Sequence, residues 1–295
     1  MKIRFWGVRG SIPSPGPHTV RYGGNTTCIE VRLDDNTLII LDAGTGIFPL
    51  AQTLLPELPL QCHIFNTHTH WDHIQGLPFF IPFFVPDNDI TIYGAADPIS
   101  QKGIDEILAI QLQYRFFPIR EVELKANVHY ASLTESKVIH IGDATITTVM
   151  MNHPVTNFGY RMDYHGRSMF FTGDHEPPYN IYAPEDAEYS DYQEIIDEKN
   201  AHLMHVIQGI DVMIADSSYT PDEYPSKKGW GHGTFDSCIQ MAKEAGVGKL
   251  YFTHHEPTRS DDALENVFSE ALQRHPRGAN DPEYFLAQEG LEIEW

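Results

Sequence analysis

The chain has 295 residues, of which 41% are hydrophobic and 21% are charged. This composition is that of a folded globular protein and excludes an intrinsically disordered chain. The formal net charge of −21 argues against a long nucleic acid as a stable partner, because phosphate backbones are bound by lysine and arginine side chains.

Apolar runs bounded by turn residues predict strands through much of the chain. In the first part they lie at residues 2–8, 27–33, 37–41, 61–66 and 90–93. Asp34-Asp35-Asn36 predicts a turn between the second and third of these strands. A helix is predicted over about residues 98–113. Further strands follow at residues 138–141, 144–150, 158–162 and 168–172.

The later part of the chain alternates between strands and helices. Residues 176–209 open with two prolines, are rich in acidic side chains and become helical toward Ile207, which is typical of a solvated helix. Gly246 follows another predicted helix at a position where glycine commonly ends one. The strands predicted here are residues 211–215, 249–252 and 291–295, and the other helices are residues 234–245 and 260–274.

Two mixed β-sheets with helices on their outer faces would bury this pattern. We therefore predict an α/β (α+β) fold of the αββα sandwich type. No internal repeat or domain boundary is visible, so we treat residues 1–295 as a single domain. Two segments stand apart as insertions: a cap-like one around residues 79–130 and the acidic helical one around residues 176–209.

The sequence shows no pattern typical of export, of a membrane span or of a disulfide framework. Its first six residues indicate a strand rather than a signal peptide. The longest apolar run, residues 79–85, is too short to cross a bilayer and contains a proline. Cys28, Cys62 and Cys238 are far apart and lack metal-site spacing, so a metal would be held by histidine and carboxylate groups. We expect a cytoplasmic protein.

Metal-compatible side chains cluster after a predicted strand, in the run His68-Thr69-His70-Trp71-Asp72-His73. Alternation along an extended chain would point His68 and His70 to the same side, where both can reach one ion. A helical turn beginning at Trp71 would carry Asp72 and His73 toward a second ion. Imidazole and carboxylate groups suit zinc, manganese or iron. Packing so many titratable groups together without a metal would be unfavourable, so the run predicts a metal site.

Three later segments place further metal-compatible residues after strands: His153, Asp174 and the pair His254-His255. Asp174 stands at a glycine turn, where its carboxylate could bridge two ions. Each of these residues alone could be a surface or capping group. Together they supply the ligands that a paired site requires, because side chains at strand ends are held rigidly toward a cleft.

A different pattern surrounds His232, in the glycine-rich stretch Gly231-His232-Gly233-Thr234 before a helix. A histidine in a flexible loop can reach a substrate. We interpret His232 as a general acid or a phosphate contact rather than a metal ligand. The alternative is a loop histidine without a role.

These residues resemble the metallo-β-lactamase superfamily, whose hallmark is His-X-His-X-Asp-His, and within it the branch containing ribonuclease Z and metal-dependent phosphodiesterases. Further matches over nearly the whole chain are Gly7-Val8-Arg9-Gly10-Ser11, Leu41-Asp42-Ala43-Gly44, His153-Pro154, Phe158-Gly159-Tyr160-Arg161, Thr172-Gly173-Asp174 and Gly231-His232-Gly233-Thr234. The hallmark itself is shared with thioesterases and lactonases. The Phe-Gly-Tyr-Arg and Gly-His-Gly-Thr segments resemble the phosphodiesterase branch.

The resemblance implies a role for each matched residue. The first metal would be held by His68, His70, His153 and Asp174, and the second by Asp72, His73, Asp174 and His254. His254 is preferred over His255 because the family's final histidine follows a threonine. Asp72 would also orient the attacking water, and His232 would be the catalytic histidine. Arg161 and Thr234 are the expected substrate contacts.

The metal ions themselves are expected to be divalent. Zn²⁺ is the first choice, with Mn²⁺ or Fe²⁺ as alternatives, because sites of this composition accept several metals. Asp42 is our candidate for the group that holds an imidazole ligand in its ligating tautomer.

One departure from the family bears on the substrate. Ribonuclease Z of the usual bacterial type has a long basic arm that grips transfer RNA, inserted between the equivalents of His153 and Asp174. Only some twenty residues separate the two here. Together with the acidic net charge, this favours a small phosphodiester such as a cyclic nucleotide or a cyclic phosphate. The run at residues 79–85 could stack on a base, and core packing, a lid or a homodimer interface are its alternatives.

The predicted reaction is two-metal hydrolysis, in which paired ions lower the pKa of a water molecule and neutralise charge at the phosphate. The alternatives within hydrolases are a ribonuclease Z-like tRNA 3′-end endonuclease and a thioesterase or lactonase. Outside hydrolases, the alternative is a sensor that keeps the metal ligands without turnover. We expect no stable nucleic-acid partner and no membrane partner.

Overall fold

A computed structural model describes residues 1–294 of the chain. Within this range the strands form two seven-stranded sheets. The strands of the first sheet are β1 (Lys2–Gly7), β2 (Cys28–Arg32), β3 (Leu38–Leu41), β4 (Gln61–Phe65), β5 (Asp89–Ala95), β6 (Asn127–Leu133) and β14 (Glu292–Glu294). Those of the second are β7 (Val138–Ile141), β8 (Ala144–Met151), β9 (Asn157–Tyr164), β10 (Arg167–Phe171), β11 (Val212–Asp216), β12 (Lys249–Thr253) and β13 (Glu283–Leu286).

Helices connect the strands and cover the outer faces of the sheets. The α-helices are α1 (Ile47–Thr53), α2 (Trp71–Ile74), α3 (Ile104–Leu108), α4 (Tyr189–Ile207), α5 (Phe235–Ala245) and α6 (Asp261–Arg274). Short 3₁₀ turns lie at Leu55–Glu57, Leu77–Phe79, Ile81–Phe84, Glu121–Glu123 and Tyr224–Ser226. Among residues 1–294, no helix is both long and apolar enough to cross a membrane.

The two sheets have the same internal plan. The first runs β14-β1-β2-β3-β4-β5-β6, and the second runs β13-β12-β11-β10-β9-β8-β7. In the first, β3 to β6 are parallel and the strands on the other side of β3 pair antiparallel. In the second, β10 to β13 are parallel and β7 to β10 pair antiparallel. Each sheet is therefore mixed.

The burial pattern of β3 shows that the first sheet is covered on both of its faces. Ile39 and Leu41 pack in the cluster between the two sheets, whereas Leu38 and Ile40 pack in the cluster on the outer face of the first sheet. A strand that is covered on both faces reads as a continuous apolar run, as β3 does. A third cluster joins the second sheet to α4, α5 and α6. The layers are helix, sheet, sheet and helix, which confirms the predicted αββα sandwich.

Sequence patterns located the interior strands, and the strands they missed lie at or near sheet edges. β6 and β13 are the edge strands that carry no prediction, and both present many polar and partly exposed side chains. Edge strands bury little surface, so their apolar pattern is weak. The short helix α1 was also missed. The predicted last strand includes Trp295, which lies outside the described residues.

The helix predicted over residues 98–113 is wrong in length. The only α-helix there is α3, five residues long. Before it, the Asp97 carboxylate accepts hydrogen bonds from the backbone N–H groups of Ile99 and Ser100, which forms a turn in place of a first helical turn. The run at residues 79–85 forms 3₁₀ turns that bury Phe80 and Phe83 in the outer core.

Candidate metal centre

The predicted ligands meet at one edge of the sandwich. His68 follows β4 in the first sheet, and His153, Asp174 and His254 follow β8, β10 and β12 in the second sheet. These strands end at the same side because β10, β11 and β12 are parallel and β8 has the same direction as β10. The helix α2 begins at Trp71, so Asp72 and His73 turn inward from its first turn.

Two groups of donor atoms form at this edge, and they are the two sets that the resemblance implied. In the first group, Nε2 of His153 lies 3.0 Å from Nδ1 of His70. Nε2 of His68 lies 3.5 Å from Oδ2 of Asp174. The four residues of this group offer donor atoms that all lie within 4.8 Å of one another.

The second group lies on the other side of Asp174. Nε2 of His73 lies 3.2 Å from Oδ1 of Asp174, and Nε2 of His254 also lies 3.2 Å from it. Asp72 places Oδ2 3.1 Å from the same nitrogen of His254. Asp174 therefore directs Oδ2 to the first group and Oδ1 to the second, which is the arrangement of a bridging carboxylate.

Unpaired polar atoms test whether these residues fit metal ions. Among the described residues, Nε2 of His68, Nε2 of His73 and both carboxylate oxygens of Asp174 are buried without a hydrogen-bond partner. Buried polar atoms are rarely left in this state. Imidazole nitrogen and carboxylate oxygen are the donors that zinc, manganese and iron accept. The donor set fits two divalent ions.

The outward-facing nitrogens of four of the rings are held by other groups. Such contacts fix the tautomer of a histidine ligand and leave its other nitrogen free for the metal. The Nδ1 contacts are His68 to Thr67 Oγ1 at 3.1 Å, His73 to Asp42 Oδ2 at 2.7 Å, His153 to the Gly231 carbonyl at 3.0 Å and His254 to Ser218 Oγ at 2.9 Å. In each of these rings Nε2 faces the centre.

The electrostatics differ between the two groups. Burial lowers the pKa of His153 to about 4 and that of His68 well below its ordinary value, so both imidazoles are neutral. At His254, burial opposes protonation, but Asp174 and Asp216 outweigh it and raise the pKa to about 9. The second group thus lies in a negative potential that favours added positive charge, which a divalent cation supplies.

His232 lies beside this centre with a partner of its own. Its Nδ1 donates to Oδ2 of Asp216 at 2.8 Å, and its ring stacks on His254 with centroids 4.7 Å apart. Burial opposes protonation of His232, yet the carboxylates of Asp216 and Asp174 raise its pKa. A third possible ligand group, which combines Asp174, Asp216, His232 and His254, overlaps the second. The bond to Asp216 occupies Nδ1 of His232 and leaves Nε2 for a substrate.

The loop that carries His232 is anchored by Glu176. This buried carboxylate accepts hydrogen bonds from the N–H groups of Gly229 and Gly231 and from the hydroxyl of Tyr224. Gly231 has a φ of 88°, and a Cβ there would lie 2.2 Å from Nδ1 of His153. Only glycine fits both the conformation and the space.

A family model described as "Beta-lactamase superfamily domain" matches residues 37–255, which include all the residues of the two groups. The chain belongs to this metallo-β-lactamase superfamily. It is a metal-dependent hydrolase of this superfamily. Ribonuclease Z of Lactobacillus johnsonii is 24% identical, over 97% of this chain and 98% of its own length.

Solved structures of other proteins show the same fold. The metallo-beta-lactamase fold protein YhfI from Bacillus subtilis superimposes with a TM-score of 0.69 at 20% identity, over 100% of this chain and 98% of its own. Unliganded yeast PDE1 superimposes with a TM-score of 0.70 at 15% identity, over 100% of this chain and 99% of its own. The predicted fold class is thereby confirmed.

Arg161 and Thr234, the two predicted substrate contacts, form hydrogen bonds within the protein instead. The Arg161 guanidinium binds the carboxylate of Asp163 and the carbonyl of Val206 at the end of α4. Arg161 stands four residues into β9, roughly 13 Å along the strand from its first residue, and its side chain belongs to the outer face. Thr234 caps α5, where its hydroxyl accepts the Ser237 N–H at 3.0 Å. Neither placement supports a substrate contact.

The adjacent residues His254 and His255 lie in different environments. His254 joins the second ligand group, and a Cβ at Gly10 would lie 2.2 Å from its ring, which explains the glycine in the Arg9-Gly10-Ser11 segment. His255 is buried away from the group, and its Nε2 donates to the carbonyl of Ala287 at 2.8 Å.

Sequence reasoning missed Asp216 and Glu176. Asp216 is the last residue of β11, directly after a predicted strand, which is the same signal that located the metal ligands. Glu176 stands two residues after Asp174, in a segment whose acidic residues suggested solvent exposure, yet it is only 2% exposed. Its position next to a predicted ligand was the available signal.

Proposed function

We propose that the chain is a binuclear metal-dependent phosphodiesterase that hydrolyses small phosphodiesters. The observation that carries this proposal is the His232–Asp216 pair, set against two ligand groups that share Asp174. A paired metal site clamps a phosphate oxygen, and an oriented histidine beside it can protonate a leaving ester oxygen. The ribonuclease Z relatives and the fold shared with yeast PDE1 support the choice of phosphodiesters over other esters.

In the proposed mechanism, one ion would be held by His68, His70, His153 and Asp174, and the other by Asp72, His73, Asp174 and His254. Two divalent ions, with Zn²⁺ preferred and Mn²⁺ or Fe²⁺ as alternatives, supply Lewis acidity that lowers the pKa of water and neutralises phosphate charge. Asp72 accepts a hydrogen bond from the attacking water. His232 donates its Nε2 proton to the leaving oxygen, while Asp216 holds the ring and stabilises the protonated imidazole.

Small substrates are favoured over transfer RNA. The segment between His153 and Asp174 is occupied by the hairpin of β9 and β10, which turns at His165-Gly166 and leaves no room for an inserted arm. The alignment with the Lactobacillus johnsonii ribonuclease Z spans 323 residues, which exceeds the 295 residues of this chain, so that relative carries segments this chain lacks. A net charge of −21 disfavours phosphate backbones. Cyclic nucleotides and cyclic phosphates are the small substrates we expect, without stable nucleic-acid binding.

Four substrates separate the proposal from its rivals within the superfamily. The metal-loaded protein is assayed with bis(p-nitrophenyl) phosphate, a thioester, a lactone and a tRNA precursor. We expect turnover of the phosphodiester and none of the tRNA. Thioester or lactone turnover without phosphodiester turnover would contradict the proposal, and metal binding without any turnover would support the sensor alternative.

The role of His232 has its own test. We expect His232→Ala to lower kcat for bis(p-nitrophenyl) phosphate by about 10²–10⁴-fold, the usual contribution of general acid–base catalysis. The matched control is His165→Ala, because His165 is exposed in the β9–β10 turn at the far end of the hairpin. Equal kcat values in the two variants would remove His232 as the acid.

A further inference from the structure

A cavity of about 740 Å³ lies against the first ligand group. Thr69, His153 and His175 belong to its lining, and each is a ligand of that group or the chain neighbour of one. A substrate whose phosphate lies between the two groups would therefore have this cavity directly beside it. Small-molecule sites in proteins commonly have volumes of about 300–1,000 Å³.

Two segments set apart in the sequence build the walls of this cavity. One is residues 95–110, which lie within the cap-like segment and contribute Ile107 and Ile110. The other is α4 in the acidic helical segment, which contributes Leu203. Residues 150–156, the last two residues of β8 and the segment leading to β9, complete the wall with Met150 and Val155. Parts that are remote in sequence converge on one space next to the metal centre.

The apolar part of the lining is aliphatic. Its apolar members are alanine, proline, isoleucine, valine, leucine and methionine, and none of the lining residues is phenylalanine, tyrosine or tryptophan. Sites that take nucleobases commonly stack them on aromatic rings. Unbranched methionine side chains adapt to flexible apolar groups of varied shape. The walls therefore suit an alkyl chain better than a flat base.

Two ammonium groups complement this apolar lining. Lys102 and Lys199 lie in the lining, one from each wall segment, and Asp97 is its one carboxylate, so the cations are in excess. Neither forms an ion pair with another described residue, although the chain carries 41 acidic residues against 20 lysines and arginines. Cations beside a cleft raise the local concentration of an anionic ligand. The cavity thus combines attraction for an anion with a surface for an apolar group.

We propose that this cavity binds the non-reacting ester group of the substrate, and that this group is an aliphatic chain. The inference rests on the proposed phosphodiesterase function and narrows its substrate class from small phosphodiesters in general to those with an alkyl ester. Among the small substrates expected from the sequence, nucleotides become the less suitable class, because the walls offer a base no phenylalanine, tyrosine or tryptophan ring to stack on.

A series of esters with one leaving group tests the inference on the unmodified, metal-loaded protein. Methyl, butyl and octyl p-nitrophenyl phosphate differ only in the alkyl ester, and thymidine 5′-(p-nitrophenyl phosphate) supplies a base instead. In every case water adds to phosphorus, the bond to the p-nitrophenyl oxygen breaks, and a phosphate monoester and p-nitrophenol are released. Concentrations are kept below the critical micelle concentration of the octyl ester.

We expect kcat/KM to rise roughly two- to fourfold for each methylene that leaves water, until the cavity is filled. The octyl and butyl esters should both exceed the thymidine ester. Equal kcat/KM along the alkyl series, or preference for the thymidine ester, would overturn the inference and leave the phosphodiesterase intact. If the protein hydrolyses none of the four esters, the proposed function fails, and the inference fails with it.

A cavity-filling variant adds a second, independent arm. Ala96 is a half-buried residue of the lining, and Ala96→Phe places a ring in the space that the alkyl chain would use. We expect the octyl-to-methyl ratio of kcat/KM to fall at least tenfold. Ala187→Phe makes the same change at an exposed loop position and should keep the original ratio. An unchanged ratio in folded Ala96→Phe would overturn the inference, and the alkyl series decides alone if that variant does not fold.

Discussion

Asp42 connects the end of β3 to the metal centre through hydrogen bonds to His73 and Thr67. Its Oδ2 accepts Nδ1–H of His73 at 2.7 Å, and the carboxylate also accepts the N–H and hydroxyl of Thr67. The residue has a φ of 60°, in the left-handed region that aspartate and asparagine tolerate better than other non-glycine residues. Replacement by asparagine therefore removes the charge without adding backbone strain.

We expect Asp42→Asn to weaken metal binding at the second ligand group by about 10–100-fold, the usual effect of losing a group that orients a histidine ligand. Competition with a chromophoric chelator measures the affinity. Asp35→Asn is the matched control, because Asp35 lies in the exposed turn between β2 and β3. Unchanged affinity in Asp42→Asn would show that Thr67 alone holds His73 in place.

At the level of single residues, the sequence pattern was most informative where ligands follow apolar strands. His68 and His70 are two residues apart after a buried strand, and their approach follows from that spacing. Arg161 illustrates the opposite case, because a motif match cannot tell which face of a strand a side chain takes. Asp163, two residues along the same face, captures its guanidinium. That contact depends on the register of β9, which the motif does not contain.

The loop between β11 and α5 depends on one carboxylate from another segment. Glu176 accepts from two backbone N–H groups and one hydroxyl of this loop, and the glutamine amide has only one oxygen to replace both carboxylate oxygens. We expect Glu176→Gln to loosen the loop and displace His232. A displacement on the order of 1 Å can cost about 10²-fold in rate.

For Glu176→Gln, kcat should fall more than KM changes, and proteolysis within residues 224–231 should become faster. Glu185→Gln provides the control, because Glu185 is exposed in the same acidic segment. If loop proteolysis and kcat both match those of Glu185→Gln, the loop holds its conformation without the carboxylate.

The helix α5 begins at a threonine that the sequence suggested as a substrate contact. Loss of an N-cap hydroxyl costs about 0.5–2 kcal/mol, so we expect Thr234→Ala to lower the free energy of unfolding by that amount. Ser260→Ala is the matched control, because Ser260 caps α6 in the same manner, by accepting the Ala263 N–H. Thermal denaturation measures both losses. A rise in KM in Thr234→Ala that Ser260→Ala does not share would restore the substrate role.

The elements predicted from the sequence are those with a strong apolar signal. β3 is buried at every position, and its run of leucine and isoleucine predicts a strand directly, while β4 ends in the buried pair Ile64-Phe65. β6 and β13 were missed because their positions at sheet edges require few apolar side chains. The short helix α3 was overestimated because local turns formed by side chains compete with helical periodicity, and such turns are set by individual polar residues.

At the scale of the whole molecule, the metal centre joins the two sheets. His68, His70, Asp72 and His73 come from the first sheet, and His153, Asp174 and His254 come from the second. Bound ions would therefore crosslink the layers in addition to their chemical role. The carboxylates of Asp72, Asp174 and Asp216 are also buried close together at this junction, and cations would relieve their mutual repulsion.

Removal of metal should therefore lower the stability of the whole fold. A ligand at 100 times its Kd stabilises a protein by about 2.7 kcal/mol, and for a chain of this size each kcal/mol shifts Tm by roughly 2–4 °C. We expect chelator-treated protein to unfold at a Tm about 5–10 °C lower for each site emptied, and added Zn²⁺ or Mn²⁺ to restore it. Asp174→Asn, which weakens both ligand groups at once, should unfold at a Tm that hardly responds to metal. Equal Tm values for chelated and metal-loaded protein would show that the sheets are held together without the ions.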